Sequence, residues 1–162
     1  MAVQTLRMQT DNRRLTERDL LALEGKIGDT LPLDYRAFLL NYNGGVPYHN
    51  TFDVVSGHDQ KYLYSFAIRK FLGLNDRGHD DLIRTRYSLR HQLPEGFLPI
   101  AVDKFRNFMC LSLKTGQVYF LDLQSAIKSE WPKRNVPLEQ FFYPVSHSFA
   151  DLIDNLYHKS FS

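Results

Sequence analysis

The chain has 162 residues, 43% of them hydrophobic and 23% charged, and its 20 basic residues against 18 acidic ones leave a formal net charge of +2. That composition excludes a disordered chain, the near-balanced charge argues against nucleic acid as a direct partner, and the lone Cys110 excludes a disulfide framework. No stretch approaches the roughly 18 apolar residues of a membrane span, and the N-terminus lacks an apolar signal core, so a cytoplasmic, unprocessed protein is expected.

Residues 1–14 are polar and without period, a mobile arm or a short irregular lead-in. Thr16 with Asp19 three residues on marks a capping box, Leu20, Leu23 and Ile27 form one apolar stripe, and Gly28 suits a left-handed stop; together they predict a helix over 17–27. In LPLDYRAFLLNYNGG (31–45), Pro32 fits the first helical position, and Tyr35, Phe38, Leu39 and Tyr42 recur at i, i+3, i+4 and i+7. Asn43, Gly44 and Gly45 tolerate positive φ and end this second helix, which pairs antiparallel with the first.

Beyond residue 46 the period shifts towards two. FDVV (52–55) and YLYSFAIRKFLGL (62–74) read as strands around a loop at 56–60. Asp80 or Asp81 begins an inserted helix carrying Leu82, Ile83, Tyr87 and Leu89, and Pro94-Glu95-Gly96 is a turn. FLPIAV (97–102) is a strand ended by Asp103. FMCLSL (108–113) and QVYFLDL (117–123) form a hairpin through Lys114-Thr115-Gly116. A loop with Trp131 and Pro132 leads to FFYPV (141–145), an edge strand because Pro144 cannot donate within a ladder. Ser148 and Asp151 cap a last helix with Phe149, Leu152, Ile153 and Leu156 on its inner face. The order predicts an α+β fold: a central, mostly antiparallel sheet with two N-terminal helices, an inserted helix and a C-terminal helix, as one domain over residues 1–162.

Motifs for chemistry are missing. The six histidines share no metal-ligand spacing, there is no phosphate-cradling glycine loop and no nucleophile elbow, and Cys110 sits in a strand-like apolar run as a small buried residue. No catalytic residue, metal or cofactor is expected. Asp103 and Asp122 have two readings: partner contact at the sheet rim, or turn capping for Asp103 and an outward strand position for Asp122, with the capping reading preferred. Asn107 is read the same way. The aromatic excess, including Tyr48, Tyr62, Tyr64, Tyr119, Phe141, Phe142 and Tyr143, is more than a core can absorb and points to a binding surface.

The succession LPLDYRAFLLNYNGG, IRKFLGL, LPEGFLPIAVD with Asn107 and CLSL, GQVYFLDL and SFADLIDNL resembles the SUKH superfamily, from about residue 17 to 157. The matching positions are Leu31-Pro32, Asp34-Tyr35, Phe38-Leu39, Asn43-Gly44-Gly45, Leu98-Pro99-Ile100-Ala101, Asp103, Asn107 and Ser148-Phe149. The resemblance implies a non-enzymatic protein-binding module. Its bacterial members are immunity proteins that bind and neutralise a cognate polymorphic toxin domain, often a nuclease; its fungal members are regulators of cell-wall synthesis, which keeps an intracellular regulatory or scaffold role as the alternative. The chain departs from the family twice: Arg106 stands where the DxxGN-like turn has Gly, and Leu121 where an aromatic precedes the late Asp. The contact residues expected are Tyr48 and His49 after the Gly-Gly turn and Asp103, Asn107 and Asp122 near the sheet rim, in a monomer or weak dimer.

Overall fold

The computed structural model describes residues 6–10, 12–55, 62–75, 80–129 and 138–158. Helix α1 (Glu17–Ile27) starts on the predicted capping box. The Asp19 N–H donates to the Thr16 hydroxyl (3.2 Å), the Thr16 N–H donates to the Asp19 carboxylate (2.8 Å), and Gly28 closes the helix at φ 79°. Helix α2 (Leu33–Tyr42) begins one residue later than expected: Pro32 has an extended ψ of 143° and so precedes the first turn. Tyr35, Phe38 and Leu39 are fully buried. Arg36 pairs with Glu17 and Glu24 of α1, and the Leu31 N–H donates to the Glu24 carboxylate at 2.8 Å, which ties the two helices together.

The described strands form two antiparallel sheets. β1 (Thr51–Val55) and β2 (Tyr62–Ala67) make a ribbon. β3 (Lys70–Phe71), β4 (Phe97–Val102), β5 (Phe108–Ser112), β6 (Val118–Leu121) and β7 (Phe142–Ser146) make a five-stranded sheet in that order, with the Pro144 strand at an edge as expected. Residues 62–74 are therefore not one strand. The Ile68 N–H donates to the carbonyl of Asn50, just ahead of β1 (2.8 Å), and the next, Arg69, donates to Val102 of β4 (2.9 Å), so the chain changes sheets between them.

Phe71, Ala101, Met109 and Phe120 stand opposite one another in register and so share one sheet face. Phe71 packs against Phe38 (ring centroids 5.0 Å apart) and Phe149 (5.9 Å), and Phe120 packs against Phe52 (5.6 Å) and Phe66 (4.0 Å). Helices and ribbon thus lie side by side on that face. On the other face Phe97, Tyr119 and Phe142 meet at 5.3–6.2 Å and stay half-buried.

Helix α3 (Leu82–Ser88) is capped by Asp81, whose carboxylate accepts from the Arg84 N–H. Leu82 is buried, while Tyr87, also carried on this helix, is 64% exposed and stacks on Arg90. The strand expected over 117–123 ends at Leu121, and a short helix α4 (Leu123–Lys128) follows it. Helix α5 (Phe149–Asn155) starts at Ser148 as predicted, and its Ala150 N–H donates to the Asp34 carboxylate of α2 at 2.9 Å. The loop at 56–60 and the one with Trp131 and Pro132 lie outside the described residues.

The described part of the lead-in is docked. Met8 bridges Pro47, the Gln9 N–H donates to Val46 (2.7 Å), the Tyr42 hydroxyl donates to the Leu6 carbonyl (3.2 Å), and Leu6 is buried. Asn43 locks this arm to the sheet: its Nδ2 donates to the Arg13 carbonyl (2.9 Å) and to the Leu74 carbonyl (3.0 Å), and its Oδ1 accepts from the Leu74 N–H (2.7 Å). The approach is so close that a Cβ on Gly73 would lie 2.2 Å from the Asn43 carbonyl oxygen.

Candidate functional site

Where β4 ends, the chain turns through Asp103-Lys104-Phe105-Arg106-Asn107 into β5. Asp103 is only 5% exposed and Asn107 4%. One Asp103 carboxylate oxygen accepts from the Phe105 N–H (2.9 Å) and the Asn107 N–H (2.8 Å), and the other accepts from Asn107 Nδ2 (3.1 Å). Asn107 Oδ1 in turn accepts from the Gln124 N–H (3.0 Å) in the first turn of α4. Asp122 caps that helix, accepting from the Ser125 N–H (3.2 Å) and hydroxyl (2.7 Å). The structure thus brings Asp103, Asn107 and Asp122 to one corner, linked through α4. Asp122 is a helix cap, not an outward strand residue, because the strand stops at Leu121.

Stitched from within, the turn points its middle outward. Lys104, Phe105 and Arg106 are all exposed, Phe105 by 58%. Arg106 has φ 66°, the left-handed conformation open to glycine, so the turn keeps a glycine-like shape with an arginine in it. Behind Phe105 lies a groove of about 450 Å³ lined by Asn50, Phe66, Ile68, Arg69 and Asp103 among others. Tyr48, 52% exposed, and the exposed His49 stand on the bend just before Asn50. The Tyr48 N–H donates to the Arg7 carbonyl (3.0 Å), and the Arg7 guanidinium lies 5.6 Å from the ring centre.

Sequence reasoning passed over Phe105, Phe66 and Arg69. The one signal available was an aromatic residue inside an otherwise polar turn, which local pattern alone does not separate from a core residue. A second hollow of about 380 Å³ between α1 and α3 holds Arg13, Lys26 and Arg84 with Asp19 and Asp81, and both carboxylates are already engaged by backbone N–H groups. Cys110 is buried, and burial pushes its thiol pKa up, away from the thiolate a nucleophile needs. Among the described residues no three His, Cys, Asp or Glu side chains are placed to hold a metal ion, and no helix is long and apolar enough to cross a membrane.

An α+β domain whose motif residues hold its own backbone, and whose aromatics stand out at the turns, is a module that offers a surface. Residues 14–155 match the SMI1 / KNR4 family model (SUKH-1), and the chain belongs to that family, as a protein-interaction module of it. No curated protein matches the chain.

Proposed function

We propose that this chain is an immunity protein: one domain that acts in the cytoplasm by binding a cognate polymorphic toxin domain and occluding it, with no chemistry of its own. The observation that carries the reading is the division of labour at the site. The polar residues a catalyst would use (Asp103, Asn107, Asp122) are spent on backbone N–H groups, while Tyr48 and Phe105 present apolar surface of the kind that anchors protein contacts. Family membership over residues 14–155 supports a protein partner. The test is co-expression with the product of the adjacent gene. Relief of growth arrest and a 1:1 complex on size exclusion are expected; turnover of a substrate by the purified chain, or elution of the two proteins as separate species, overturns the reading.

One observation favours a regulatory or scaffold domain as the second reading. The exposed turn is basic and the chain carries +2, which gives no steering towards a basic nuclease. A partner without toxicity, recovered in the same co-expression, would select it.

A further inference from the structure

Among the described residues three non-glycines have positive φ: Asn43, Asp80 (70°) and Arg106 (66°). Asn43 closes a helix, a place where asparagine is at ease. The other two meet. Arg106 Nη1 lies 3.7 Å from Asp80 Oδ1, and Arg69 Nη2 reaches both Asp80 oxygens at 3.0 and 3.1 Å. An arginine gains nothing from this backbone, since its Cβ crowds the following carbonyl. It is held there by the Asp103–Asn107 stitching, and strain of this kind gathers where a side chain's position matters to function.

The result is a small basic corner with an apolar floor. Arg69 and Arg106 meet Asp80, and Lys104 lines the groove with Arg69 and Asp103. Asp80 is held by the two arginines, Asp103 is buried under N–H donors, and no described carboxylate pairs with Lys104. Phe105 stands beside them, and the groove of about 450 Å³ opens behind it against Phe66. Three cations around an apolar slot, on a chain of +2, do not make the long basic track that nucleic acid needs. We propose that this corner receives an acidic segment of a partner protein, its carboxylates on Lys104 and Arg106 and one apolar side chain between Phe105 and Phe66. The proposal rests on the protein-binding reading above and names the partner's chemistry.

The test uses the full chain, isotope-labelled for amide NMR, titrated with an acidic heptapeptide that carries one central phenylalanine. Shifts are expected at residues 65–69 and 104–106, weakening as salt is raised. A basic heptapeptide, or the acidic one with serine for phenylalanine, is expected to bind more weakly. Arg106→Gly should weaken binding about twofold to fivefold, the range for one exposed charge, without lowering the melting temperature; a merely structural Arg106 would not move the affinity. Lys104→Glu with Arg106→Glu should abolish binding. Shifts confined to another face, equal binding of the basic peptide, or unchanged affinity in both variants overturns the proposal. If those results come with a stable 1:1 complex of the native pair, the contact lies elsewhere and the protein-binding reading stands; if the complex is missing too, that reading falls with it.

Discussion

The Asn43 junction and the Asp103–Asn107 turn are built on the same device and put to opposite uses. In each, a buried polar side chain collects backbone groups from separate segments, and a residue at positive φ lets the chain reverse. At Asn43 the following residues are glycines, Gly44 packs so tightly that a Cβ would lie 2.7 Å from the Leu72 backbone, and nothing projects. At Asp103 the reversal falls on Arg106, and Lys104, Phe105 and Arg106 project together. Both read in sequence as polar motif residues. The first fastens the arm to the sheet; the second holds a display.

Breaking each lock separates these roles. Asn43→Ala leaves the Leu74 N–H and two carbonyls without their partner deep in the fold, and is expected to cost about 3 kcal/mol, read as a lowered denaturant midpoint. Asp103→Ala removes three bonds as well, but water can reach an exposed turn once it loosens, so about 2 kcal/mol is expected. Equal losses at the two sites would deny the contrast.

The same contrast governs what could be read from the sequence. Helix ends were legible because their signals are local: Thr16 with Asp19, Asn43 with two glycines, Ser148. The hairpin around Gly116 was legible for the same reason. The break of residues 62–74 into two sheets was not, because the apolar period runs on through Ile68 and Arg69 while their hydrogen-bond partners, Asn50 and Val102, are distant in sequence. Asp122 misled because an aspartate after a strand looks alike whether the strand continues or a helix begins. In the candidate site, the turn-capping reading preferred for Asp103 and Asn107 is what the structure shows, but which residues the capped turn sends outward was not legible: that depends on the backbone angle at Arg106, and an arginine at positive φ has no sequence signature. Phe105 was missed for that reason.

Arg106→Gly sharpens the comparison by making the second turn more like the first. Relief of the left-handed backbone gains about 1–2 kcal/mol, and the freer unfolded chain and the lost contact to Asp80 return most of it. A net gain of about 0.5 kcal/mol is expected, a rise of about 1–2 °C in Tm. A clear fall would mean that the arginine holds the turn and that its display is incidental.

The smallest effect lies on the fastening side. Arg13, whose carbonyl receives Asn43, pairs with Asp19 at 3.6 Å, so the arm is tied to α1 as well as to the sheet. The Thr16 N–H, with help from the Thr16 hydroxyl and Arg13, holds the Asp19 carboxyl below its usual value of 3.8. A carboxyl depressed in the fold adds stability that is present above the unfolded value and disappears as pH falls through the folded one. Asp19→Asn should therefore melt below the parent near pH 6, and the gap between the two should close as the pH drops below 3.8. Because Asp19 is only half-buried, salt should narrow the gap at pH 6 too, and a gap that stayed unchanged on acidification would show that the arm is held without the Asp19 charge, by its backbone bonds to Val46 and Tyr48.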